Sequence, residues 1–247
     1  MFGRRRPPSA PAGDTERPRA PGTVTRLVAQ QHDADRVSVF LDGAFAFGVH
    51  RDLVLEHGLR KGLALDIDEQ EAILDADGIL RARSAALGFL SSRARTRREV
   101  ADRLRSDDLP DSVIEDTLEW LGQRGYLDDA AYAAQYAESR RRAQGLGPSR
   151  IRQELRRRGV DADEAGEAVA NAFDDPEALL DDAITAARKR LPTLLREPDV
   201  RKRQRKLYDF LARRGYDGDV ARQVIAAVLT HADSDADADD APGDAVG

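Results

Sequence analysis

The chain has 247 residues and a net charge of −6; 34% of its residues are charged and only 5% are aromatic. This composition predicts a mostly aliphatic core and an elongated shape. Because cysteine is absent, disulfides, thiolate zinc sites and cysteine nucleophiles are excluded. No segment approaches the roughly 18 apolar residues of a membrane span, and the first residues lack a secretory signal, so we expect a cytoplasmic protein without membrane contact.

The first third of the chain contains a predicted disordered segment and a small α+β domain. Residues 1–22 are rich in proline and arginine without periodicity, which predicts disorder. From residue 23 to residue 80 strand patterns dominate at first, and RVSVFLDGAFAFGV alternates apolar and polar residues on both sides of Asp42-Gly43, a dipeptide typical of a tight hairpin turn. With TVTRLVAQ before it, we expect three antiparallel strands. A short helix ending at Gly58, a short strand and a further helix should follow.

One helical pattern then occurs three times along the chain. The copies align without gaps on three core leucines, Leu104, Leu155 and Leu211. Each copy contains a helix, a sharp turn and a second helix. In the second and third copies the turn contains Gly159 or Gly215, where a helix C-terminus favours a left-handed residue.

A third helix precedes each of these pairs, with Asp128 as a suitable N-cap in GYLDDAAYAAQYAESRRR. The sequence therefore predicts a mainly α fold, an elongated tandem array of three three-helix repeats of helix-turn-helix type. A small α+β N-terminal domain with an antiparallel hairpin precedes the array. The predicted boundaries are a disordered segment 1–22, the α+β domain 23–80, repeats 81–127, 128–173 and 174–231, and a disordered acidic tail 232–247.

Basic residues are clustered in the second and third repeats, and such clusters suit phosphates or an acidic protein groove. The predicted partner- or DNA-binding residues are Arg140, Arg141, Arg142, Arg150, Arg152, Arg156, Arg157, Arg158, Arg201, Lys202, Arg203, Arg205 and Lys206. Cations in a last helical turn also complement the helix dipole, which gives Arg156, Arg157 and Arg158 an alternative structural reason.

The aromatic residues allow two interpretations. Exposed tyrosines could stack on nucleic-acid bases. Their helical spacing with alanine and leucine favours the core instead, and the same prediction applies to Trp120. The tyrosines are Tyr126, Tyr132, Tyr136, Tyr208 and Tyr216.

Three segments carry a resemblance to a known family: RGYLDDAAYAAQYAESR at 124–140, GPSRIRQELRRRGV at 147–160 and KLYDFLARRGYDGDVARQVI at 206–225. In content and order they resemble the successive modules of the RecX family, bacterial regulators of RecA recombinase. The resemblance covers about 81–231, and residues 23–80 resemble an N-terminal extension that some members carry. It implies a protein that binds the RecA–single-stranded DNA filament and inhibits its ATPase, recombinase and coprotease activities. Such a role belongs to homologous recombination, DNA repair and the SOS response.

Catalysis is not indicated by the sequence. The four histidines are scattered, and there is neither a phosphate-binding glycine loop nor a serine elbow, so we expect no enzyme, cofactor or metal. Two other hypotheses stay open beside the RecA regulator. One is a helical-repeat protein that acts directly on single- or double-stranded DNA, and the other is a generic helical scaffold. A monomer is the default expectation.

Overall fold

The computed structural model describes the backbone of residues 20–31 and 33–239 and the side chains of residues 20–31 and 33–229. The chain divides into two compact units, residues 1–84 and 85–247. The predicted disordered segment 1–22 lies outside the described residues except for its last three. No helix in the described part of the chain is long and apolar enough to cross a membrane.

The first unit contains an antiparallel four-stranded sheet with the strand order β3-β2-β1-β4. Its strands are β1 (Gly22–Ala29), β2 (Arg36–Leu41), β3 (Ala44–His50) and β4 (Ala64–Leu65). Asp42 and Gly43 have φ angles of 48° and 85°, which confirms the predicted hairpin turn between β2 and β3. The unit also contains the short helix α1 (Arg51–Glu56) and the first part of α2 (Ile67–Leu90).

A buried ion pair connects α2 to the sheet. Asp77 of α2 has a side chain that is only 4% exposed, and one of its carboxylate oxygens lies 2.9 Å from Nη2 of Arg36 in β2. The same Asp77 carboxylate accepts a hydrogen bond from the His50 N–H at 2.7 Å, and Arg36 also donates to the Gly48 carbonyl at 2.8 Å. The pair is therefore hydrogen-bonded on both sides, as a buried charge requires.

The second unit is helical throughout its described part. After the end of α2, its helices are α3 (Arg97–Arg105), α4 (Asp111–Gln123), α5 (Asp129–Gln144), α6 (Pro148–Arg157), α7 (Ala162–Ala172), α8 (Pro176–Leu194), α9 (Val200–Arg214) and α10 (Gly218–Asp239). They form the predicted tandem three-helix repeats, in which Leu104, Leu155 and Leu211 are fully buried. Asp128 caps α5 as predicted, accepting from the Ala131 N–H at 2.8 Å.

Two predicted boundaries coincide with continuous helix. The expected division between residues 80 and 81 lies inside α2, which runs without a break through Gly78, a residue that often ends a helix. At the other end, α10 continues to Asp239 and enters the segment 232–247, for which the sequence predicts disorder. Three alanines favour helix between residues 232 and 239, although four aspartates and a serine there do not. Residues 240–247 lie outside the described residues.

The second helices of the repeats meet end to end. α6 has no side-chain cap, and the N–H groups of Gly147 and Ser149 donate instead to the carbonyl oxygens of Arg214 (2.7 Å) and Gly215 (3.1 Å) at the end of α9. An isolated helix leaves four N–H and four C=O groups without partners at its ends. In this contact, which we call the α6–α9 joint, each helix supplies partners for the other.

An equivalent contact, the α3–α6 joint, connects the first two repeats. The buried Thr96 hydroxyl donates to the Arg158 carbonyl oxygen at 2.7 Å and accepts from the Glu99 N–H at 3.1 Å. Thr96 and Gly147 each stand eight residues before the aligned core leucine of their repeat. The two joints therefore use the same position of the repeat.

Glycine permits the close approach at both joints. Gly159 and Gly215 have φ angles of 86° and 91°, a region that L side chains rarely adopt. A Cβ atom on Gly215 would lie 2.3 Å from the Arg150 backbone nitrogen, and one on Gly159 would lie 2.4 Å from the Arg98 Cβ. Any side chain would therefore separate the helices.

Side chains reinforce the joints. Nη1 of Arg158 lies 3.0 Å from a Glu99 carboxylate oxygen. At the α6–α9 joint, Arg214 Nη1 donates to the Gly145 carbonyl at 3.1 Å, and the Tyr216 hydroxyl donates to the same oxygen at 3.3 Å. Burial raises the pKa of Tyr216 to about 12, so this hydroxyl keeps its proton at physiological pH.

Two carboxyl groups beside the α3–α6 joint have pKa values shifted in opposite directions. Partial burial works to raise the pKa of Glu99, but the hydrogen bond from Arg93 and the charges of Arg93 and Arg158 outweigh it, so the net shift is downward. Partial burial, followed by the neighbouring carboxylate of Asp129, raises the pKa of Glu164. The ionised form of Glu99 is thus favoured by folding, and that of Glu164 is disfavoured.

The tight packing of the α6–α9 joint predicts a large cost for a methyl group at its centre. Gly215→Ala should destabilise the protein by about 1–3 kcal/mol more than Gly125→Ala. Gly125 is the matched control, because its φ angle is also positive (71°) but nothing lies within 4 Å of an added Cβ. Both variants share a cost of about 1–2 kcal/mol for alanine at positive φ. The measurement is the free energy of unfolding in urea; equal losses would contradict tight packing.

The opposite pKa shifts predict opposite effects of two isosteric substitutions at pH 7. Charged Glu99 stabilises the fold, a contribution present above its ordinary pKa of 4.5 and lost as the pH falls through its lower folded value. Charged Glu164 opposes folding, and this cost appears as the pH rises through its raised pKa. Glu99→Gln should therefore lower the Tm at pH 7 and Glu164→Gln should raise it, with both differences shrinking in acid. Shifts of the same sign at pH 7 would disprove this assignment.

Candidate partner-binding surface

Three of the predicted residues form an exposed basic face on α6, which we call the α6 face: Arg152, Arg156 and Arg157. Residues four apart share one side of a helix, so Arg152 and Arg156 lie together, and Arg157 lies about 100° further round the exposed side of α6. All three side chains are exposed, and no carboxylate in the described part of the chain forms an ion pair with them. Their guanidinium groups are available to a partner.

Other predicted residues of the second repeat have partners within the protein. Arg150 lies 2.9 Å from Glu154, and Arg158 belongs to the α3–α6 joint. Arg142 is exposed but pairs with Glu138 in the preceding turn. The structure thus separates these residues from the α6 face, a distinction that their sequence spacing does not provide.

Arg141 connects the second repeat to the third. Its side chain is 19% exposed, and its Nε atom lies 2.6 Å from an Asp182 carboxylate oxygen in α8. It also donates to the Ala172 carbonyl at the end of α7. The hydrogen bond to Asp182 raises the pKa of Arg141. These contacts give Arg141 a structural role between repeats.

A small cleft lies beside the α6 face. The Tyr136 hydroxyl donates to Glu154 at 2.8 Å, and the guanidinium carbons of Arg140 and Arg158 lie 4.7 and 5.0 Å from the Tyr136 ring centre. Together with Arg157 these residues line a cleft of about 310 Å³. One carboxylate among three arginines leaves the cleft positively charged, which suits an anionic group.

The predicted cluster of the third repeat is divided in a similar way. Arg201 and Arg205 are exposed and form no ion pair with any described residue, and they lie one turn apart on α9. Lys202 lies 3.8 Å from Asp199 and Lys206 lies 2.6 Å from Glu197, while the remaining residue, Arg203, is half-buried.

Four further exposed cations were missed by the sequence analysis. They lie on the last turns of α8 and in the turn that follows, namely Arg188, Lys189, Arg190 and Arg196. The signal was present, because the RKR run at 188–190 is as dense as the run at 201–203.

The prediction that all the tyrosines belong to the core is wrong for two of them. Tyr126 is 54% exposed and Tyr208 is 37% exposed, whereas Tyr216 is buried. Tyr126 stacks on Trp120 with 6.1 Å between ring centres, and Arg124 lies over the Trp120 ring. Trp120 is partly buried, so this end of α4 is a surface stack and not core.

Family models match four successive segments of the chain. They are described as the regulatory protein RecX N-terminal domain at 22–66 and the first, second and third three-helix domains of RecX at 82–121, 128–169 and 177–225. The matches follow the order of the sheet-containing unit and the three repeats.

Individual relatives agree with the family models. The chain is 30% identical over 209 residues to a regulatory protein RecX of Clostridium acetobutylicum, covering 84% of this chain and 97% of the relative. It is 32% identical over 212 residues to a regulatory protein RecX of Levilactobacillus brevis, covering 86% and 79%.

Two crystal structures have the same fold. A regulatory protein RecX superposes with a TM-score of 0.67 at 29% identity, covering 82% of this chain and 98% of the other. RecX from Lactobacillus salivarius superposes with a TM-score of 0.58 at 28% identity, covering 63% and 99%. From the four matched domains in order, the relatives and the shared fold, it follows that the chain belongs to the RecX family of regulatory proteins.

Proposed function

We propose that this protein binds the RecA–single-stranded DNA filament and inhibits its ATPase, recombinase and coprotease activities. RecX-family proteins are regulators of RecA, and the match of all three helical domains, from residue 82 to residue 225, supports the same role here. The protein would act by binding and not by catalysis, as a cytoplasmic monomer without a cofactor.

The α6 face is the surface that we assign to the filament. Its three guanidinium groups have no competing carboxylate among the described residues, and the helix that carries them is held at both ends by the two joints. A cation on a fixed helix loses less conformational freedom on binding than one on a loop. Arginine also forms bidentate hydrogen bonds with carboxylates and phosphates, and a RecA–DNA filament would offer both.

Inhibition follows from binding if one molecule contacts neighbouring subunits of the filament. A protein bound across adjacent subunits would favour the arrangement of those subunits to which it binds best, and hydrolysis would slow where that arrangement is not the hydrolysing one. The alternative, a protein acting directly on DNA, does not require RecA for any of its effects. Measuring the effect of the protein on DNA with and without RecA in one assay distinguishes the two functions.

Neutralising the α6 face should relieve inhibition. The triple variant Arg152→Gln, Arg156→Gln, Arg157→Gln removes three exposed charges, keeps helix propensity and leaves the buried Ile151 and Leu155 in place. At about 1 kcal/mol for each lost contact, the concentration for half-inhibition of DNA-dependent ATP hydrolysis by RecA should rise roughly a hundredfold.

A matched control removes the same charge from α3. Arg97, Arg103 and Arg105 are also exposed, but each pairs with a carboxylate of this protein, at 2.8, 2.7 and 3.0 Å. Because exposed ion pairs contribute little to stability, the corresponding triple glutamine variant should fold and should inhibit nearly as well as the wild type. Equal loss of inhibition in both variants would mean that only net charge matters. Unchanged inhibition by a folded α6 variant would exclude the α6 face as the binding surface.

A further inference from the structure

The hairpin between α8 and α9 is larger than its counterpart in the second repeat. The N-caps of the first helices, Asp128 and Asp175, are 47 positions apart, whereas the aligned leucines Leu155 and Leu211 are 56 positions apart. Nine additional residues therefore lie between these points in the third repeat. Three of them lengthen α8, two lengthen the turn that follows, and four, Val200–Arg203, precede the position where α6 begins.

The extended hairpin end, residues 188–206, is the most basic part of the chain. Its 19 residues include nine cations and two carboxylates, a net charge of +7 in a chain of net charge −6. Both carboxylates already have partners, since Glu197 pairs with Lys206 at 2.6 Å and Asp199 caps α9. The net charge of +7 therefore remains after both carboxylates are counted.

Six cations of this hairpin end project without an ion-pair partner among the described residues. All six side chains are exposed. The cations of α8 and the turn after it are Arg188, Lys189, Arg190 and Arg196, and those of α9 are Arg201 and Arg205. Two aliphatic residues at the turn are exposed as well, Leu195 at 44% and Val200 at 43%. The inner side of the hairpin is ordinary core, because Leu194 and Leu207 pack in the apolar cluster of the third repeat.

This combination fits nucleic acid better than protein. Protein–protein interfaces are depleted in charge at their centre and enriched in aromatic residues, whereas protein–DNA interfaces are much more positive. Single-strand binders add aromatic side chains on which bases stack, and residues 188–206 contain no aromatic residue. A protein can bind duplex DNA through contacts with the phosphate backbone alone. Aliphatic side chains of such proteins can also enter the grooves of the duplex.

We propose that the hairpin end 188–206 is a binding surface for duplex DNA, in which the unpaired cations of α8 and α9 contact phosphates and Leu195 and Val200 contact the groove between them. The surface is distinct from the α6 face. Its function is independent of the proposed action on RecA, because duplex binding needs no RecA.

The experiment measures binding of the full chain to a fluorescent 30-base-pair duplex and to a single strand of the same length, without RecA, between 50 and 300 mM KCl. The hairpin variant is Arg196→Gln, Arg201→Gln, Arg205→Gln. Each phosphate contact contributes about 0.9 to the slope of log K against log salt for duplex DNA. The variant should bind duplex at least tenfold more weakly at 50 mM KCl and should flatten the slope by about 2.7.

Two further variants identify the cause. The α6 triple glutamine variant loses the same charge and should keep a duplex slope within about one unit of the wild type. Leu195→Ala, Val200→Ala removes only exposed apolar surface, so its duplex affinity should fall severalfold while the salt slope stays unchanged. Far-UV circular dichroism and the Tm check that each variant is folded.

Several outcomes would overturn the proposal. Equal losses in the hairpin and α6 variants would mean that only net charge matters. If the wild type binds the single strand more tightly than the duplex, the surface recognises single-stranded DNA. If the wild type fails to bind duplex at 50 mM KCl but still inhibits RecA, the hairpin end would instead suit an acidic protein, and the proposed function would survive without this inference.

Discussion

Helix ends carry backbone groups that need partners, and for the second helices of this protein the neighbouring repeat supplies them. The end carbonyls of α9 accept from the first N–H groups of α6, and the last carbonyl of α6 accepts from Thr96 at the start of α3. The negative end of one helix dipole thus meets the positive end of the next, which is favourable. A repeat separated from its neighbour would expose these groups and the apolar faces beside them. The three repeats are therefore parts of one array and not three independent domains.

The joints also determine which arginines remain available to a partner. Arg158 and Arg214 each follow the aligned core leucine by three positions, and both point back to the preceding repeat, where they contact Glu99 and the Gly145 carbonyl. Arg156 and Arg157 stand immediately before Arg158 in the same run, yet they are exposed and have no ion-pair partner in the described structure. A run of three arginines in the last turn of a helix thus contains one residue that holds the joint and two exposed residues without an ion-pair partner among the described residues. The helix dipole favours all three equally, so only the position of the neighbouring repeat distinguishes them.

Sequence patterns predicted what depends on local chemistry. The Asp42-Gly43 turn, the Asp128 cap and the three buried leucines follow from turn preference, capping and periodicity, and the structure has all of them. The joints depend on contacts between residues about 60 positions apart, such as Thr96 with Arg158, and no spacing rule indicates them. Tyr126 was misjudged for a related reason. It stands outside the helices, after Gly125, so helical periodicity does not describe its surroundings. For the partner surface, the sequence located the clusters but could not separate paired arginines from unpaired ones.

Departures from the repeat pattern carry information that the pattern itself does not. Whatever all three copies share is explained by the requirements of packing and of the joints. The nine additional residues of the α8–α9 hairpin are not required in this way, since the second repeat builds an equivalent core without them. Stability does not explain their composition either, because exposed like charges repel one another and weaken the compact state. Two exposed aliphatic side chains at the same turn add a further cost in water. Exposed cations that the core does not use, and that work against the compact state, are best explained by a surface to which those charges bind.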